Sequence, residues 1–159
     1  MIPTEICDTV KARLAEAVLD VKIEGVIDSF IRVSPDRMRD VCIFLRDDDA
    51  LLFDSLMCLS GMDYQWGKLG VVLHLHSTKW NHKIALKVEV PSDNPVCQSV
   101  ESVWKTANWH EREAYDLFGI RFEGHPDLRR ILLPDDWEGF PLRKDYKLPE
   151  YYHGMKVPY

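Results

Sequence analysis

Apolar positions along the chain alternate between a helical and a strand period. Val10, Leu14 and Val18 recur every four residues behind Thr4, so residues 4–18 predict an amphipathic helix with Thr4 as its cap. Between Val21 and Val33, short apolar runs on either side of Gly25 predict two strands. Ser34-Pro35-Asp36 combines a cap, a first-turn proline and a first-turn acid. Met38, Val41 and Leu45 then form an apolar stripe that Asp47-Asp48-Asp49 ends, which predicts a second helix. Residues 52–63 read as a turn leading into a strand. Gly70 to Ser77 alternates at period two, as does His82 to Val90 with Ile84, Leu86, Val88 and Val90. Trp80-Asn81 joins these two strands in a hairpin. Asn94-Pro95 predicts a further helix, running to about Lys105. Asn108-Trp109-His110-Glu111 is a capping-box pattern opening a last helix that Gly119 stops. Together these elements predict an α+β fold, an antiparallel sheet with helices packed on one face.

Past residue 120 the pattern breaks. Residues 121–159 hold five of the nine prolines (Pro126, Pro134, Pro141, Pro149, Pro158), which forbids a long helix or a central strand. They also hold seven of the 17 aromatics: Phe122, Trp137, Phe140, Tyr146, Tyr151, Tyr152 and Tyr159. Disordered tails are poor in aromatics, because aromatics seek burial. The chain therefore predicts an α+β body over 1–120 and an extended irregular C-terminal arm over 121–159 that lies along the surface of something else.

Composition narrows the class. With 159 residues, 46% hydrophobic and 29% charged, the chain suits one folded domain. Residues 1–120 carry 13 Lys+Arg and 19 Asp+Glu, so the whole net charge of -6 lies there, and the arm holds seven of each sign. That balance argues against a nucleic-acid backbone as partner. No apolar run approaches the roughly 20 residues of a membrane helix. Met1-Ile2-Pro3-Thr4-Glu5 lacks the features of a signal peptide, so a cytosolic chain is expected. Cys7, Cys42, Cys58 and Cys97 form no C-x-x-C pair and predict reduced, mostly buried thiols rather than a zinc or iron–sulfur site.

Each candidate for chemistry has a plainer counterpart. His74 and His76 share a strand face and could hold a metal with His82 on the partner strand. The plainer reading is the wet face of a half-exposed strand, since the local sequence places no carboxylate or cysteine ligand beside them. His110-Glu111 opens like a zinc-protease helix, but position 114 is Ala where that motif needs its second His. Glu111, Glu113 and Asp116 with Arg112 allow three readings. They could be a general-acid/base cluster, or acids stabilised by the helix dipole with an Arg112–Asp116 pair at spacing four. They could also be an ion-pair network holding the arm, since Arg121, Arg129 and Arg130 follow closely. Arg129-Arg130 and Arg143-Lys144 could bind a phosphate, yet Asp127, Asp135, Asp136 and Asp145 beside them make local pairing the simpler reading. Gly61, Gly67 and Gly70 are too dispersed for a phosphate loop, and no Ser, Cys or Lys stands in a nucleophile motif. These residues predict a binding subunit rather than a free-standing enzyme.

One stretch carries a resemblance. Trp109-His110-Glu111-Arg112-Glu113-Ala114-Tyr115-Asp116-Leu117-Phe118-Gly119-Ile120 is followed by Gly124-His125-Pro126-Asp127-Leu128-Arg129-Arg130-Ile131-Leu132. Asp136-Trp137-Glu138-Gly139-Phe140-Pro141-Leu142-Arg143-Lys144-Asp145-Tyr146 completes the run. It closely resembles the 30-kDa-type subunit family of bacterial NADH:quinone oxidoreductase, respiratory complex I. The helix and strand layout upstream also suits that family, so the resemblance covers essentially the whole chain.

The resemblance implies a non-catalytic, peripheral subunit that binds no flavin, iron–sulfur cluster or quinone of its own. FMN and iron–sulfur clusters would belong to the rest of a complex that carries electrons from NADH to quinone and translocates protons. It implies subunits D, B and I as partners, an indirect link to the membrane arm, and a place on the cytoplasmic side of the cell membrane. Glu111, Arg112, Glu113, Asp116 and His125 would then be structural, setting where the arm leaves the body. The arm's aromatics, Trp137, Phe140 and Tyr146 among them, with Arg129, Arg130, Arg143 and Lys144, would be interface anchors, aromatics and arginine being the residue types that dominate interfaces. The same motif also resembles the homologous subunit of energy-converting hydrogenases and of ferredoxin- or deazaflavin-dependent oxidoreductases. From another class stands a metal-dependent hydrolase built on His74, His76 and His82.

Overall fold

Alternating apolar residues build the centre of the chain. The computed structural model describes residues 1–157, so Pro158 and Tyr159 of the predicted arm lie outside the described residues. Its elements in chain order are α1 (Pro3–Leu14), β1 (Val18–Lys22), β2 (Phe30–Val33), α2 (Met38–Asp47), β3 (Ser55–Gln65), β4 (Lys68–Ser77) and β5 (His82–Pro91). They continue with β6 (Val96–Gln98), α3 (Ala107–Phe118), β7 (Arg121–Glu123), β8 (Tyr151–Tyr152) and β9 (Met155–Lys156). Strands β1 to β5 form one sheet in the order β1-β2-β5-β4-β3.

Leu69, Val71, Leu73 and Leu75 of β4 stand opposite Val90, Val88, Leu86 and Ile84 of β5, so the period-two residues of both strands fall on one face. That face is buried with Ile6 and Val10 of α1 and Met38, Val41 and Leu45 of α2 in one core. Each fully buried Leu or Val there contributes about 1.5–3 kcal/mol of transfer free energy. Helix α3 covers the outer strand of the same face, where the Phe118 ring sits so close to Gly61 that a Cβ on Gly61 would lie 2.5 Å from it. The opposite face is polar and open. Arg32 pairs with Glu89 at 3.2 Å, Lys68 with Glu89 at 3.3 Å, and Lys87 Nζ lies 3.8 Å from the centre of the Phe30 ring.

Four expectations are corrected. The sheet is mixed rather than purely antiparallel, because β2 runs parallel to β5. A parallel neighbour needs a crossover, and α2 with the β3–β4 hairpin supplies it. Thr4 is not the cap of α1: Pro3 takes the first helical position, and Ile2 N–H donates to Glu5 Oε2 at 3.0 Å. Helix α2 begins at Met38, after a turn closed by Arg37 N–H on Ser34 O at 3.1 Å. A free N–H at its start, that of Arg39, is satisfied by Gln98 Oε1 at 3.0 Å, from a residue distant in the sequence.

The fourth correction is the predicted helix from Asn94 to Lys105, which is instead strand β6 followed by turns. Backbone partners elsewhere decide it. Arg121 N–H donates to Pro95 O and Ser99 N–H to Glu123 O, both at 2.8 Å, so β6 pairs in parallel with β7. Trp104 is then drawn inward, its indole N–H donating to Phe53 O at 3.0 Å.

Candidate functional site

The ionisable residues of the motif gather around α3, where Glu111 and Asp116 are both fully buried. The capping box expected at Asn108–Glu111 does not form, and α3 starts at Ala107. Glu111 reaches out of the helix instead. Its Oε1 accepts Val100 N–H at 2.7 Å and its Oε2 accepts the Ser99 hydroxyl at 2.6 Å, which fixes the turn after β6. Burial pushes the Glu111 carboxyl up to about 7 against the pull of those two donors. Burial also raises the thiols of Cys42 and Cys97, and the neighbouring Glu111 charge adds to it.

His125 lies on the far side of Glu111, Nε2 to Oε2 being 4.0 Å, with no part of its side chain exposed. Asp127 N–H donates to His125 Nδ1 at 3.0 Å, so the ring proton sits on Nε2 and points to Asn108 O at 3.1 Å. The imidazole thereby ties the Gly124-His125-Pro126 turn to the first turn of α3.

Asp116 organises the segment beyond. Its Oδ2 accepts the N–H groups of Ile131, Leu132 and Leu133 at 3.1, 2.7 and 2.9 Å, and its Oδ1 meets Arg130 Nη1 at 2.8 Å. Burial alone would raise this carboxyl, but the donors of Leu133, Arg130, Leu132 and Ile131 together hold it below the usual carboxylate value. The Arg112–Asp116 pair is not made. Arg112 donates instead to Arg129 O at 3.2 Å and Arg130 O at 3.0 Å.

The segment expected to depart from the body runs back over the end of α3 and closes it. A helix leaves its last four carbonyls without intrahelical partners, and all four are satisfied here. Gly119 N–H donates to Tyr115 O at 2.8 Å, and Leu142 N–H to Leu117 O at 3.1 Å. Arg130 Nη1 donates to Asp116 O at 3.0 Å, and Arg143 Nε to Phe118 O at 2.7 Å. Two guanidinium cations at the negative end of the helix dipole add a favourable charge interaction. Both also make cation–π contacts with the Phe140 ring, at 5.5 Å for Arg130 and 4.9 Å for Arg143. The ring presses on Gly119, whose φ of 74° and lack of a Cβ both serve the contact, since a Cβ would stand 2.5 Å from the ring.

The remaining predicted residues are placed as follows. Arg130 donates further to Trp137 O at 2.8 Å and Gly139 O at 3.2 Å. Arg129 pairs with Asp127 at 2.8 Å on the surface, as its neighbouring acid suggested, whereas Glu113 is exposed. Lys144 N–H donates to Asp63 Oδ2 at 2.8 Å, which brings the arm to the outer strand of the sheet. Tyr146 packs over Gly139, and the Trp137 ring stacks at 5.1 Å against Tyr152 of the terminal β8–β9 hairpin. The three histidines do not converge. His82 points into the core side, its Nε2 2.6 Å from Leu51 O, while His74 and His76 lie on the open face. Among the described residues no group of three or more His, Cys, Asp or Glu is arranged to hold a metal ion.

A respiratory family carries this combination. Residues 31–152, which hold the sheet from β2 onward, α3 and the closing segment, match the family described as "Respiratory-chain NADH dehydrogenase, 30 Kd subunit". The chain belongs to that family. It is 51% identical over 154 residues to the corresponding NADH-quinone oxidoreductase subunit of Chlorobium phaeobacteroides, covering 96% of this chain and 93% of that one. It is 48% identical over 151 residues to the equivalent protein of Chloroherpeton thalassium, covering 94% of this chain and 63% of that longer protein. Among solved structures, a trypsin-resistant fragment of Nqo5 superposes with a TM-score of 0.64 at 28% identity, covering 80% of this chain and all of the fragment. A chain of the membrane-bound sulfane sulfur reductase, an archaeal respiratory membrane complex, shares the fold with a TM-score of 0.75 at 23% identity. This member of the 30 Kd family is thus a subunit of a multi-subunit respiratory complex. Among its described residues no helix is long and apolar enough to cross a membrane.

For this family member, sequence reasoning missed Ser99, Gln98 and Asp63, which act through single long-range hydrogen bonds that leave no periodic trace. Phe140, expected as an interface anchor, packs instead on Gly119, Arg130 and Arg143 of its own chain; an aromatic shortly before an Arg-Lys pair is also a candidate for such a cation–π contact.

Proposed function

We propose that this chain is a non-catalytic, peripheral-arm subunit of a proton-translocating NADH:quinone oxidoreductase, where it supports the quinone-end module. FMN and the iron–sulfur clusters belong to other subunits. Its neighbours are subunits D, B and I, and it stands on the cytoplasmic side of the cell membrane. The observation that supports this reading is the use made of the motif's buried acids. Glu111 and Asp116 are each closed by donors of this chain, Ser99 and Val100 for one, Arg130 and the amides of 131–133 for the other. Both carboxylates are fully buried, so they hold loops in place out of reach of a substrate.

The division into a 1–120 body and a 121–159 arm takes a sharper form in this proposal. Residues 124–146 complete the body by closing α3, and the stretch after Tyr146 reaches partners. Leu148, Tyr151 and Met155 are exposed there. Arg129 and Lys144, whose side chains face solvent, are the basic interface groups, while Arg130 and Arg143 hold the arm in position.

The test is isolation of the tagged chain from its native membranes in mild detergent, with mass spectrometry of what accompanies it. A quinone-site subunit, cluster subunits and an NADH-oxidising flavoprotein are expected. A nickel-binding large subunit, membrane subunits without an NADH module, or a bare chain would each overturn the assignment.

A further inference from the structure

Strands β3 and β4 are joined by the two-residue turn Trp66-Gly67, with Gln65 paired to Lys68 across it. Both turn residues have positive φ, 53° and 76°. That arrangement suits a twisted hairpin, and its first position favours Asn, Asp or Gly. Every residue with a Cβ brings it against the backbone carbonyl there; Asn and Asp offset that cost by local hydrogen bonding, which Trp cannot do. Trp66 also has nothing to rest on, since it is 93% exposed. Of the other tryptophans of the body, Trp104 is buried on Phe53 O, the Trp80 indole donates to Asp49 O at 2.9 Å, and Trp109 is 70% exposed but stands on regular helix α3, so only Trp66 combines exposure with a left-handed backbone. Trp66 therefore works against the fold twice, through its backbone conformation and through a large apolar ring left in water. Strain kept at an exposed position directs attention to something outside the fold.

Hydrogen bonds also fix the backbone of the tip. Ser92 N–H donates to Gly67 O at 2.9 Å, and Gln65 N–H to Asp63 Oδ1 at 2.7 Å. The second oxygen of Asp63 receives the Lys144 amide, so the arm passes beside the turn, and Trp66, Lys68, Lys144 and Asp145 border one concavity. An aromatic knob within a ring of polar groups is the layout of an interface hot spot, and a turn whose backbone is already fixed adds little ordering cost on docking.

We propose that Trp66 is a preformed anchor that inserts into an apolar pocket of a neighbouring protein subunit, on a surface continued by residues 143–145 of the arm. The proposal rests on the reading of the chain as a subunit of the oxidoreductase. A protein is favoured over a lipid surface because the groups around the ring carry both signs, Asp63 and Asp145 against Lys68, Arg143 and Lys144, with Arg143 spent on Phe118 O, whereas membrane-surface anchors are flanked by basic residues alone.

The test uses Trp66→Asn and Trp66→Phe in the full chain, each co-expressed with differently tagged wild type. Asn suits the turn, so the isolated W66N chain should melt at the wild-type temperature or above it. In the complex isolated in mild detergent it should be under-represented about tenfold against wild type, with W66F in between. A lower melting temperature for W66N would overturn the proposal, since Trp66 would then serve the fold. Equal incorporation of W66N and wild type into an intact complex would overturn the anchor while leaving the assigned function standing. Trp66-dependent binding of the isolated chain to phosphatidylglycerol vesicles would overturn it in favour of a membrane contact. If wild type itself accompanies no oxidoreductase subunit, the functional reading falls and the anchor with it.

Discussion

Arg130 and Asp116 form a 2.8 Å ion pair across the C-terminal end of α3, with the Asp116 side chain fully buried and that of Arg130 only 14% exposed. The pair does two things at once. Asp116 gathers three successive amides of the returning chain, and Arg130 satisfies carbonyls on both sides, Asp116 O of the helix and Trp137 O of the arm. Removing Asp116 strands the amides of residues 131–133 and leaves the Arg130 charge with carbonyl partners alone, and breaking a buried pair typically costs about 3–5 kcal/mol. Asp116→Ala should lower the free energy of urea unfolding by about that amount, and adding Arg130→Met should not restore it, because Asp116 O, Trp137 O and Gly139 O then lose their donor as well. A loss below about 1 kcal/mol for the single change would mean the pair is only a surface contact.

Glu111 makes stability depend on pH in an unusual direction. Its carboxyl is pushed from an ordinary 4.5 up to about 7 by burial, so the folded chain binds the proton more tightly than the unfolded one. Stability from this group is therefore full below about pH 4.5 and declines as pH rises towards 7, by about 3 kcal/mol in all. Glu111→Gln keeps an acceptor for Val100 N–H and removes the titration. The difference in unfolding free energy between wild type and E111Q should thus change steeply between about pH 5 and pH 7.5 in urea titrations, with the variant relatively more stable at the higher pH. A difference that stays constant would show that the carboxyl titrates elsewhere.

Gly119 is required twice, by its φ of 74° and by the Phe140 ring against it. Gly119→Ala should destabilise the chain by about 1–2 kcal/mol from the left-handed backbone alone, with displacement of Phe140 in addition. The arm should loosen first. Trypsin cleavage at Arg143 and Lys144, followed by mass spectrometry, should be faster in the variant while Lys11 and Lys87 stay protected to the same degree.

Truncation separates the two parts of the arm. Ending the chain after Ile120 strips β7, the partners of Asp116 and three of the four caps of α3, so that fragment should fail to give a cooperative thermal transition. Ending it after Tyr146 keeps all of these contacts and should melt as the full chain does, but enter the complex poorly. A cooperative fragment ending at Ile120 would show that the caps contribute little.

Local pattern determined much of this protein. The alternation of Val71, Leu73 and Leu75 with His74 and His76 decided which face of β4 is buried, and the same pattern over Ile84 to Val90 paired it with β5. The stripe of Met38, Val41 and Leu45 marked α2, Gly119 marked the end of α3, and the residues from Trp109 to Tyr146 carried the family. These follow from side-chain spacing, which a short stretch of sequence contains in full. Only the tertiary structure decided that β2 runs beside β5, that residues 96–98 are a strand, that Glu111 serves Ser99 and Val100 rather than its own helix, and that Arg130 takes Asp116. The physical reason is the same for each. Buried donors and acceptors must all be matched, and the partner that completes each set is chosen by where distant segments meet, which no local period encodes.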